Sequence, residues 1–102
     1  VALSLSAQAD DYPTSELVDY VGICIRDGKG YAQELFYKCS CLMDRIRKEV
    51  GYEEYVSLIT AARSVTIAGE RGAIVRESDA VQGMARRFRE LEQKARKGCF
   101  LD

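Results

Sequence analysis

The sequence predicts an all-α fold, a compact bundle of about four helices stapled by two disulfides. Three observations carry this. Apolar residues recur at helical spacing in four stretches, and turn residues separate them. No stretch alternates apolar and polar residues as a half-buried strand does. Four cysteines, Cys24, Cys39, Cys41 and Cys99, stand in a chain of only 102 residues. A chain of that length is one domain's worth, and a core of that size gains from cross-links.

The first helix is expected from about Thr14 to Arg26. Pro13 precedes it, Thr14 or Ser15 can cap it, and Glu16 sits in its first turn. Leu17, Val21 and Cys24 form its stripe, with Val18 and Ile25 alongside. Asp27-Gly28-Lys29-Gly30 supplies turn chemistry at its end. The second helix is expected from about Tyr31 to Val50. Leu35, Cys39, Leu42 and Ile46 recur at steps of 4, 3 and 4, and Phe36 and Met43 widen that face. Gly51 terminates it.

The third helix is expected from about Tyr52 to Thr66, with Tyr52, Tyr55, Ile59 and Ala62 as its stripe and Val56 and Leu58 adjoining. A loop through Ala68-Gly69-Glu70-Arg71-Gly72 follows, and Ala73-Ile74-Val75 reads as a short extended piece. The fourth helix is expected from about Asp79 to Lys97, capped by Ser78. Its stripe, Val81, Met84, Phe88, Leu91, Ala95 and Cys99, is the cleanest amphipathic pattern in the chain. Internal repeats and low-complexity tracts are absent from the sequence. Residues 10–102 read as a single helical domain.

Val1 to Ala9 carry no charge and end in Ala7-Gln8-Ala9, a small-x-small triplet of the kind signal peptidase cleaves. This stretch reads as a signal-peptide remnant, with the mature protein beginning at Asp10. A floppy N-terminal arm is the competing reading. The expected compartment is periplasmic, and no later stretch has the apolar length of a membrane span.

An even number of cysteines in a short exported chain reads as a disulfide framework. A tetrathiolate zinc site is the competitor, but it usually shows paired C-x-x-C knuckles. Here 14, 1 and 57 residues separate successive cysteines. Cys39 and Cys41 are too close in sequence to bond each other without strain. Cys24 is therefore expected to join one of them and Cys99 the other. On a helix Cys39 and Cys41 lie about 200° apart, so the middle helix can be stapled on two sides. A redox pair or a copper(I) site at Cys39-Ser40-Cys41 is the functional alternative.

The chain has no histidine. That removes Ser-His-Asp and Cys-His catalysis and histidine-ligated zinc or haem. No nucleophile–base pair stands out, and the chain is not expected to be an enzyme. The fourth helix carries Arg86, Arg87, Arg89, Lys94, Arg96 and Lys97, but Glu90 and Glu92 interrupt them and the net charge is −1. This reads as a solvated face rather than a nucleic-acid or lipid surface.

Carboxylates are the other candidates, since hard cations take oxygen ligands. Clusters occur at Asp10-Asp11 with Glu16 and Asp19, at Glu53-Glu54, and at Glu77 with Asp79. Each also has a plain explanation, because acidic residues favour helix starts. Glu77 and Asp79 flank Ser78 where the chain leaves a loop, so they form the favoured metal site. Glu53 and Glu54 are the weaker addition, and the N-terminal cluster is the rival.

Asp10-Asp11-Tyr12-Pro13-Thr14, Cys39-Ser40-Cys41-x-x-Asp44, Tyr52-x-x-Tyr55-Val56, Gly69-Glu70-Arg71 and Cys99-Phe100 follow one another in this order. In these elements the chain resembles a family of small periplasmic Cys-Ser-Cys helical proteins of methylotrophic bacteria. Their genes lie near those for methanol oxidation and lanthanide uptake, and the family includes LanD-type lanthanide-binding proteins. The resemblance spans nearly all of the mature chain. It implies a carrier or metal chaperone for a lanthanide ion such as lanthanum or neodymium. It also implies a surface site with few protein ligands and a homodimer bridged by the metal. Arg45, Arg47 and Lys48 put positive charge near Asp44 and weaken it as a ligand. The alternative, without metal, is an interaction module that docks on a periplasmic dehydrogenase or transporter. An acid-stress chaperone is a third reading.

Overall fold

A computed structural model describes residues 11–66 and 78–101. The fold is all-α. Four helices are present among the described residues and no strand is. They are α1 (Thr14–Asp27), α2 (Ala32–Glu49), α3 (Tyr52–Ser64) and α4 (Asp79–Gly98). Cys24 is bonded to Cys39 and Cys41 to Cys99, so no cysteine is free. No described helix is long and apolar enough to cross a membrane.

By its contacts the chain divides into two units, Val1–Tyr52 with Ala95–Asp102, and Glu53–Lys94. In the first unit α1 and α2 pack on each other. The link between them depends on two glycines. Gly28 follows α1 directly, and a Cβ there would stand 2.9 Å from Leu35 Cδ2 and 3.0 Å from the Cys24 carbonyl oxygen. Gly30 has φ +119°, a region that side chains disfavour. Cys24, in the last turn of α1, bonds Cys39 in mid-α2, with the two Cα atoms 5.9 Å apart.

On α2 the predicted stripe is the buried one: Leu35, Cys39, Leu42 and Ile46, joined by Met43. Phe36 was expected on that face but stands 49% exposed. Val18 on α1 likewise lies out in solvent, and the buried α1 residue is Tyr20. Neither Thr14 nor Ser15 caps α1. The cap position is Pro13, without a side-chain hydrogen bond, and its carbonyl accepts from the Glu16 and Leu17 amides. Proline's fixed φ fits this place, where a missing N–H leaves no helical bond unmade.

In the second unit Tyr55 of α3 meets Phe88 of α4 edge to face, ring centroids 6.2 Å apart. Leu58, Ile59, Ala61 and Ala85 are buried, while Val56 at the margin of the expected stripe is exposed. Helix α3 ends at Ser64, where the Ser64 hydroxyl donates to the Thr60 carbonyl. Ser78 caps α4 as expected, its hydroxyl oxygen accepting from the Val81 amide at 3.3 Å. The expected signal remnant, Val1 to Ala9, and the loop from Ala68 to Arg76 lie outside the described residues.

Candidate functional site

The expected carboxylate site involves residues of the second unit. Helix starts place three of them: Glu53 and Glu54 in the first turn of α3, and Asp79 in the first turn of α4. Glu53 and Asp79 are exposed, whereas Glu54 is half-buried and ion-paired with Arg87. Arg87 lies eight residues beyond Asp79, about 12 Å along the α4 axis. The start of α3 therefore sits beside the middle of α4, and Glu54 is held away from Asp79. Glu77 lies outside the described residues. Among the described residues no three His, Cys, Asp or Glu side chains gather as a metal-holding group.

The rival N-terminal cluster is drawn partly into other bonds. Asp10 lies outside the described residues, and Asp11 and Asp19 are exposed. Glu16 accepts a hydrogen bond from the Tyr52 hydroxyl at 3.4 Å. Burial and the neighbouring Glu16 carboxylate hold the Tyr52 phenol above its usual pKa, since both disfavour a second negative charge. Asp44 forms an ion pair with Arg47 at 3.7 Å, as the basic run after it suggested.

The two disulfides use the two sides of α2. Tyr37 and Cys41 lie one turn apart on one side. Cys41 holds Cys99 there, with Cα atoms 5.8 Å apart. The next residue, Phe100, is thus within about 10 Å of Cys41 by backbone geometry. The Arg45 guanidinium, one further turn along α2, lies against Gly98.

The first unit displays large aromatic side chains. Tyr31 is 82% exposed, Tyr37 67% and Phe100 82%. The Phe36 and Tyr37 rings stack with centroids 5.4 Å apart. Isolated exposed apolar residues are ordinary, whereas the Phe36–Tyr37 stack is a contiguous exposed pair. Sequence reasoning missed this surface. The signal was present, since Tyr37 lies about 200° round the helix from Leu35 and so opposite the buried stripe.

No family model, curated protein or solved structure matches the chain.

Proposed function

We propose that this chain is a non-enzymatic binding domain of an oxidising, exported compartment such as the periplasm, and that it docks on a protein partner through its aromatic surface. One observation carries the reading: Tyr31, Phe36, Tyr37 and Phe100 stand in solvent within the unit that both disulfides stiffen. Aromatic residues are enriched where proteins meet, because they bury much area while losing few rotatable bonds. A cross-linked scaffold holds them in place before contact, which lowers the ordering cost of binding. The two bridges favour an oxidising compartment. With no histidine in the sequence and all four cysteines in disulfides, Ser-His-Asp and Cys-His catalysis are unavailable, which supports the non-enzymatic reading.

The test is a photoreactive residue at position 37 in cells that make the protein, with position 48 as control. Both sites are exposed on α2. A defined adduct at 37 and none at 48 supports docking through the aromatic surface. Equal labelling at both refutes it.

A second reading, a lanthanide carrier that forms a metal-bridged homodimer, is supported by the resemblance and by the open, exposed carboxylates of Glu53 and Asp79. A surface site with water in its shell suits handover of an ion. Terbium titration followed by luminescence and mass tests it. The pair Glu77→Gln with Asp79→Asn should abolish saturable binding. Binding abolished only by Asp10→Asn with Asp11→Asn would move the site to the N-terminal cluster. No saturable binding at all would sink the carrier reading.

A further inference from the structure

Helix α4 closes in a turn that glycine usually makes. The Leu101 amide donates to the Arg96 carbonyl at 2.9 Å, and the Phe100 amide to the Lys97 carbonyl at 3.4 Å. This is the double bond pattern of a Schellman turn, and its left-handed position is Phe100, at φ 61°. A residue with a Cβ is strained there, and the exposed Phe100 ring gains no burial in return. The residue before it, Cys99, is bonded to Cys41.

We propose that the Cys41–Cys99 bridge is a reducible clasp, opened by a dithiol reductant ahead of Cys24–Cys39, and that opening it releases the terminal turn and relaxes Phe100. The proposal does not depend on the docking reading. A reductant thiolate attacks the sulfur of half-exposed Cys41. The S–S bond breaks, and its electron pair leaves on Cys99 sulfur, which takes a proton from water. The reductant's second thiol then attacks the mixed disulfide and frees Cys41, which is protonated in turn. Two electrons and two protons pass to the protein, and the dithiol becomes a disulfide.

Two features set this bridge apart. Cys99 lies past the last helical residue, so its release breaks terminal-turn hydrogen bonds and uncovers one buried side chain, its own, without unwinding the body of α4. Burial does not separate the bridges, since Cys24 and Cys41 are both partly exposed and Cys39 and Cys99 both buried, but Cys24–Cys39 joins two helices that pack on each other, α1 and α2. The Arg45 guanidinium adds to the difference. It lies one turn from Cys41 and against Gly98, next to Cys99, where positive charge favours a departing thiolate. The longer ring that Cys41–Cys99 closes matters little here, because the folded scaffold keeps its ends together.

The experiment is a dithiothreitol titration of the native protein, quenched by alkylation and read by peptide mass. Trypsin cleavage after Lys97 reports release of the turn. Cys41 and Cys99 should be alkylated first, and cleavage after Lys97 should rise with them. Phe100→Gly, which removes the strain, should raise the dithiothreitol needed for half-opening by about fivefold or more. Arg45→Gln should slow opening severalfold, and Arg45→Lys should restore the rate. Opening of Cys24–Cys39 first, simultaneous opening of both bridges, or a Phe100→Gly midpoint equal to the parent's would each overturn the proposal.

Discussion

The Tyr12 hydroxyl donates a buried hydrogen bond to the Val50 carbonyl at 2.8 Å. Val50 is the C-cap of α2, where the last carbonyls of a helix lack helical partners. Tyr12 therefore ties the segment before α1 to the end of α2, and its ring also meets Tyr52 edge to face at 5.3 Å. Tyr12→Phe keeps the ring and strips the donor from a buried acceptor. The expected loss is about 1–3 kcal/mol, measured by urea unfolding. A change within experimental error would show that water replaces the hydroxyl.

Tyr52 should contribute to a loss of stability at alkaline pH. Its folded-state pKa is raised, by burial first and by Glu16 second. An acid whose pKa is raised on folding adds stability below its unfolded pKa and loses it as pH climbs through the folded value. Stability should therefore fall above about pH 10, the ordinary tyrosine value. Tyr52→Phe should lessen that fall. A profile that keeps the parent's slope in Tyr52→Phe would place the effect on other groups.

The helices were legible because their stripes repeat. Leu35, Cys39, Leu42 and Ile46 step 4, 3 and 4, and all four are buried. The edges of the stripes were not legible, because apolar identity does not say how wide a face the neighbours cover. Phe36 and Val18 sit at such edges and are exposed, whereas Tyr20 is buried. Tyrosine hides well in a sequence, since it carries both a large apolar ring and a polar tip. The cysteine count announced two bridges, and the angle between Cys39 and Cys41 announced two sides. Which partner took which side needed the fold. The exposed aromatics are hidden in the sequence because Phe36 borders the apolar stripe and its identity alone favours burial, while Tyr37 on the opposite side breaks no pattern. The carboxylates were ambiguous from the start, since the helix dipole alone explains acidic residues at helix starts.

In the second unit the ring contact should outweigh the ion pair beside it. Glu54 and Arg87 are both substantially exposed, so water and salt screen their attraction. Glu54→Gln should cost less than about 1 kcal/mol. Tyr55, only 1% exposed and packed on Phe88, is different. Tyr55→Ala opens a cavity and should cost about 3–5 kcal/mol, close to that of other large aromatic truncations. Denaturant melts of both variants decide the order, and a larger loss for Glu54→Gln would overturn it.

Gly98 and Arg45 should behave as a coupled pair. Glycine inside a helix normally costs about 1 kcal/mol relative to alanine, so Gly98→Ala looks like a simple gain. A Cβ at position 98, however, would stand 2.6 Å from the Arg45 Cζ and 2.7 Å from Nη1. The guanidinium ends a flexible side chain and can swing away, but it then leaves the C-terminal end of α4, where positive charge is favourable. The gain in helix propensity and the loss of this charge placement should roughly cancel in Gly98→Ala. In an Arg45→Ala background these contacts are gone, and Gly98→Ala should stabilise by about 0.5–1 kcal/mol. The double-mutant cycle reads the difference directly. Equal effects of Gly98→Ala in both backgrounds would mean that the contact with Arg45 carries no energy and that the glycine has another cause.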